Sequence, residues 1–186
     1  MKSPIFILLL AALLPIACKP APKASPLSPA AQLQAAKEAK EYFDRGNYSE
    51  AEKTYERILA AEPNDFRVLS NLGVVRFRVG KLELAAEALQ EATVVAPNDG
   101  FSHCMLGIVF YSQGRYDDAM NALKKALTIN PNNATAYQYL GMVCTAKGWH
   151  DAARNALERA QELDPSYGEP DSLPKEIPAT FRPNDA

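Results

Sequence analysis

Residues Gly100–Asn133 read GFSHCMLGIVFYSQGRYDDAMNALKKALTINPNN, and the fold follows from this stretch. His103, Leu106, Gly107 and Phe110 recur at helical spacing and make one stripe of a first helix. Gly114 stops that helix, because glycine accepts the left-handed backbone conformation that a helix end needs. Asp117 and Asp118 then stand where they can cap a second helix and complement its positive end. The second stripe is Ala119, Leu123, Ala126 and Leu127, and Pro131 closes the unit. Gly107 and Ala119 fall where the two helices would cross. Small side chains at that point let the backbones approach.

The same unit recurs along the chain. Gly46, Gly80, Gly114 and Gly148 are 34 residues apart, as are Pro63, Pro97, Pro131 and Pro165, and Ala51, Ala85, Ala119 and Ala153. Coincidence of the glycines and prolines alone has a probability on the order of 10⁻⁷ at average usage. Leu72, Gly73, Leu89 and Ala92 occupy the stripe positions in the second unit, and Leu140, Gly141, Leu157 and Ala160 in the fourth. In the first unit Ser49 and Glu52 have the spacing of a capping box opening the second helix. A repeat of this length, with two short helices per unit, specifies a solenoid.

The Leu-Gly pair, the Gly before an aromatic, the Ala five residues after that Gly and the terminal Pro resemble the tetratricopeptide repeat in its 34-residue register. The resemblance covers Gln32–Asp65, Phe66–Asp99, Gly100–Asn133 and Ala134–Tyr167, so the repeat domain is expected over 32–167. It implies an all-α solenoid of four tandem helix-turn-helix repeats in a right-handed superhelix, with the first helix of each pair lining a concave groove. The first unit departs from the pattern, with Glu38-Ala39 in place of Leu-Gly, as suits a terminal repeat that faces water.

The family's groove positions, carried over residue by residue, imply a partner-binding set. It comprises Phe43 in the first repeat, and Arg67, Asn71, Val74, Phe77 and Arg78 in the second. The third contributes Phe101, Met105, Ile108 and Tyr111, and the fourth Tyr139 and Met142. Aromatics, Met and Arg are residue types enriched where partners bind, so the expected ligand is a protein or peptide segment with apolar anchors. The alternative is that several of these side chains pack between neighbouring first helices. One family variant grips a terminal carboxylate with Lys and Asn. Lys40 and Asn71 are in place here, but Phe101 and Met105 stand where further basic residues are needed, and that binding mode is not expected.

Composition narrows the remaining classes. A formal net charge of −2 in 186 residues offers no basic face for nucleic acid. His103 and His150 have no ligand partners at metal spacing, Cys104 and Cys144 read as small half-buried thiols with a disulfide as the alternative, and the glycines stand singly at turns. No cofactor, metal or catalytic set is expected, and the chain does not read as an enzyme.

Both ends differ from the repeats. Lys2 followed by the apolar run Ile5–Leu14 and small residues before Cys18 describes an export signal over 1–17. Ala17-Cys18 resembles the lipobox of bacterial lipoproteins, although Pro15 holds the place where Leu is usual. The implied product is a protein acylated at Cys18 and held at a membrane, the outer one in a Gram-negative cell, with a soluble secreted form as the alternative. Residues 18–31 read as a Pro-rich tether. Residues 168–186 carry Pro170, Pro174, Pro178 and Pro183 and read as a disordered tail, in which Leu173, Ile177 and Phe181 are evenly spaced. With no further helix after Pro165, the fourth repeat is expected to expose an edge. The function expected from all this is an envelope adaptor serving secretion, pilus or envelope assembly. A chaperone-like holder of secreted chains and a homodimer formed through the open edge are the alternatives.

Overall fold

The computed structural model describes residues 28–167. The stretch 1–17 expected to be an export signal, Cys18 and the segment with Leu173, Ile177 and Phe181 lie outside the described residues. Within them the chain forms eight helices: α1 (Pro29–Asp44), α2 (Tyr48–Ala61), α3 (Phe66–Arg78), α4 (Leu82–Val95), α5 (Gly100–Ser112), α6 (Tyr116–Ile129), α7 (Ala134–Ala146) and α8 (His150–Leu163). This is an all-α helical-repeat array. The first helix starts inside the stretch assigned to the tether. Ser28 caps it by accepting from the Ala31 N–H, and Pro29 sits in the first turn, where its missing donor costs nothing.

The turn inside each unit is set by its glycine. Gly114 has φ of +73°. Its N–H donates to Tyr111 O at 2.9 Å, and the Arg115 N–H donates to Phe110 O at 2.9 Å. This Schellman pair satisfies carbonyls that the helix end would otherwise leave open. Arg115 then serves at once as the first residue of the next helix boundary, with φ −85° and ψ 66°. That backbone is not the extended form from which a capping side chain reaches back to the first turn. None of the second helices has a side-chain cap, and the capping-box expectation for Ser49 and Glu52 is corrected accordingly. Asp118 pairs with Arg115 and Asp117 with Lys147, so both acids of the third unit engage cations while standing in the first turn.

Between units the caps are real. Asp65 Oδ1 accepts from the Arg67 and Val68 N–H groups, Asp99 Oδ2 from the Ser102 N–H, and Asn133 Oδ1 from the Ala136 N–H. The extended backbone after each Pro positions these side chains.

Helix pairs close on the small residues. A Cβ added at Gly107 would lie 2.6 Å from Leu123 Cγ and 3.2 Å from Ala119 O. The corresponding distance is 2.5 Å at Gly73 against Leu89 and 2.6 Å at Gly141 against Leu157. Leu89, Leu123, Ala85 and Ala119 are fully buried at these crossings. Neighbouring units are pinned by polar contacts. Glu52 of α2 accepts from Lys81 Nζ at 2.7 Å and from Arg76 Nε at 3.3 Å. Ser70 and Ser102 join hydroxyls across the α3–α5 contact, and Ser102 also donates to Asp99. Burial pushes the Glu52 carboxyl up, but Lys81 and Arg76 together outweigh it and hold it below its ordinary value.

The C-terminal edge is less open than expected. Met120 and Leu127 of α6 have Arg154 and Gln161 at the corresponding places of α8, both exposed. On the other side Tyr167 covers α7, its hydroxyl 2.6 Å from Thr135 Oγ1. The last repeat thus carries its own polar outer face.

Two stability measurements check this account. Gly107→Val is expected to cost about 3 kcal/mol in urea unfolding, and with Leu123→Ala the double variant loses less than the two single losses summed. Glu52→Gln is expected to cost about 1–2 kcal/mol near neutral pH. Because the folded pKa is depressed, that stabilisation is present above the ordinary value of 4.5 and is lost as pH falls through the lower folded value.

Candidate partner-binding face

The curvature of the array selects one face. α3 packs against α5 and α5 against α7, whereas the second helices α2, α4, α6 and α8 have no comparable contact with one another. The first helices are therefore drawn together on the inner side. Side chains near the same register of each first helix converge there.

Aromatic rings and one cation dominate that face. Tyr111 stands 5.9 Å from Tyr139, edge to face, and 5.8 Å from Tyr116. Phe43 stands 5.5 Å from Tyr48. The Arg78 guanidinium of α3 lies over the Phe43 ring of α1 at 5.8 Å. Burial pushes the Tyr139 hydroxyl up to about 12, with Arg78 opposing the rise, and burial also raises Tyr111. Both phenols therefore stay protonated and available as donors at neutral pH. Arg78 Nε and Gln138 Oε1 are buried without hydrogen-bond partners among the described residues, and Asn71 faces the Tyr55 hydroxyl, where it opposes the rise that burial imposes on that phenol.

The twelve residues carried over from the family divide into two groups. Arg67 is exposed, and Asn71, Phe77, Arg78, Phe101 and Tyr111 keep part of their surface open to solvent. Phe43, Val74, Met105, Ile108, Tyr139 and Met142 are buried, Met105 and Ile108 completely. These six are corrected from groove contacts to packing. The reason is the close approach of neighbouring first helices, which turns Val74, Met105, Ile108, Tyr139 and Met142 into the gaps between them. Phe43 is closed over instead by Tyr48 and Arg78. Tyr167, whose hydroxyl meets Thr135 of α7, is not singled out by the sequence. The position of Tyr167 two residues after the last repeat proline is the one available signal.

Nucleophilic chemistry finds no support at the thiols. Cys104 and Cys144 are free and buried, and they do not form the alternative disulfide. Burial pushes the Cys104 thiol up to about 12 against an opposing hydrogen bond with Asn133, and burial raises Cys144 too. No group of His, Cys, Asp and Glu able to hold a metal ion occurs among the described residues. No helix among them is long and apolar enough to cross a membrane.

The sequence matches three family models of the tetratricopeptide repeat, over residues 36–100, 107–143 and 134–167. The chain belongs to the tetratricopeptide-repeat family. Solved structures agree. MamA is 26% identical, with TM-score 0.67, over 73% of this chain and 79% of that one. YrrB, described as a TPR protein with an unusual peptide-binding site, is 23% identical with TM-score 0.65, over 73% and 70%. The first TPR domain of Spaghetti (RPAP3), bound to the HSP90 peptide SRMEEVD, is 21% identical with TM-score 0.62, over 63% and 93%. No curated protein sequence matches the chain significantly.

For the thiols the expected outcome is plain. Cys104 and Cys144 resist iodoacetamide at mildly alkaline pH in the folded protein and react after denaturation, as mass spectrometry of the alkylated peptides would show.

Proposed function

We propose that this chain is a non-enzymatic adaptor that captures a polypeptide segment on the inner face of its first helices. The observation that carries this reading is the set of partly open residues there, Asn71, Phe77, Arg78, Phe101 and Tyr111, held on rigid helices with the buried six beneath them. Rings fixed in this way contribute contact area at little entropic cost, since neighbouring packing has already restricted them. Peptide recognition by the YrrB and Spaghetti TPR structures is consistent with such a use of the fold.

The same proposal places the adaptor in the bacterial envelope, acylated at Cys18, with the repeats facing the periplasm and serving secretion, pilus or envelope assembly. The support is the apolar run Ile5–Leu14 and the Ala17-Cys18 pair. Acyl chains on one residue would anchor the protein, each buried methylene contributing about 0.8 kcal/mol. The polar outer face of α8 gives less support to a homodimer through that edge.

Two measurements test the proposal. Photo-crosslinking from position 77 or 111 in native envelopes is expected to trap a discrete partner, and Phe77→Ser with Tyr111→Ser to remove it without loss of helicity by circular dichroism. Capture that persists in the double variant, or general suppression of aggregation without a discrete partner, would overturn the adaptor reading. Cys18→Ser is expected to abolish palmitate incorporation and shift the protein from the membrane to the soluble fraction; unchanged membrane retention would refute the tether.

A further inference from the structure

Eight arginines lie among the described residues, and seven have a carboxylate within ion-pair range. Arg78 is the exception. Acids are not scarce nearby: Arg76, two residues earlier on α3, reaches both Glu52 and Glu56, and Asp44 directly follows Phe43. Helical geometry separates these uses, because residues two apart project from different sides of a helix. Arg76 is turned toward α2 and Arg78 toward the inner face.

The surroundings of Arg78 are apolar and aromatic. Its guanidinium rests over Phe43, and its charge is felt at the Tyr139 hydroxyl of α7, across the width of α5. Its Nε is shielded from water and has no hydrogen-bond partner among the described residues. A partly buried donor left unmatched is a cost to the fold, and no acid among the described residues satisfies it. A carboxylate arriving from outside would, through two parallel charge-assisted hydrogen bonds in a weakly hydrated site.

We propose that Arg78 receives a side-chain carboxylate of the captured segment, an Asp or Glu set beside an apolar residue that lies against Phe77 and Tyr111. This rests on the adaptor reading of the inner face and names the chemistry of its ligand. It differs from a terminal-carboxylate clamp, whose further basic places are Phe101 and Met105 here. A phenolic donor from Tyr111 stands on the same face and adds to the acid's surroundings.

The test uses the full chain and arrays of short immobilised peptides, each with an apolar pair followed by Glu or, in a matched twin, Gln. Retention of the Glu peptide is expected to exceed that of its twin by about tenfold at low salt, and the preference to shrink as salt rises. Arg78→Gln should erase the preference while lowering the melting midpoint only slightly, since the side chain gives up its contact with Phe43 but no ion pair among the described residues. Arg78→Lys should restore part of it, and Arg154→Gln on the outer surface of α8 should leave it intact. Equal retention of the twins, or a Glu preference that survives Arg78→Gln, overturns the proposal. If peptides bind in a Phe77- and Tyr111-dependent way without a Glu preference, this inference fails and the adaptor reading stands. If no peptide of either kind is retained, both fall.

Discussion

The contact between Gly107 and Leu123, repeated at Gly73 with Leu89 and at Gly141 with Leu157, sets the distance at which the two helices of a unit lie. Everything built on the array inherits that spacing. A leucine side chain on one helix occupies the volume that a Cβ on the other would need, so the backbones come close and the buried alanines around them suffice to fill the core. With the pairs fixed at short range, the first helices of neighbouring units can also touch, and the array bends toward them. The inner face exists because of a missing methyl group.

Polar contacts then hold the stack in register. Glu52 draws on Lys81 and Arg76 from the next unit, Ser70 meets Ser102, and Lys147 reaches back to Asp117. Exposed pairs of the last kind contribute little individually. Glu52 is different, because its side chain is only 12% exposed and both its oxygens are engaged. One acid therefore carries much of the polar link between the first two units. The inner face combines the opposite conditions, with aromatic surface partly open and a guanidinium that has no carboxylate partner among the described residues.

How much of this could be read from residue order depends on which force decides each position. The glycines at 46, 80, 114 and 148 were legible because the backbone there needs positive φ, a demand local to a few residues. Gly107 and Ala119 were legible because their smallness recurs at a fixed offset. The spacing of Ser49 and Glu52 misled, since a capping box assumes an extended residue before the helix and the Schellman turn supplies a different backbone. Met105 and Ile108 misled for another reason: a repeat position points toward the inner half of the array whether it ends in the gap between helices or on the open surface. Position alone does not separate those outcomes.

By itself the sequence determined the period, the helix pairs, the sites of close approach and the turn conformations, all of which follow from constraints spanning a single unit. Tertiary structure decided which inner residues remain available to a partner, that α8 presents a polar outer face, and that Arg78 alone among the described arginines is left without a carboxylate. Those outcomes depend on side chains from three or four helices meeting in space. No spacing along the chain encodes that meeting, because it is set by the curvature that the stacked units produce together.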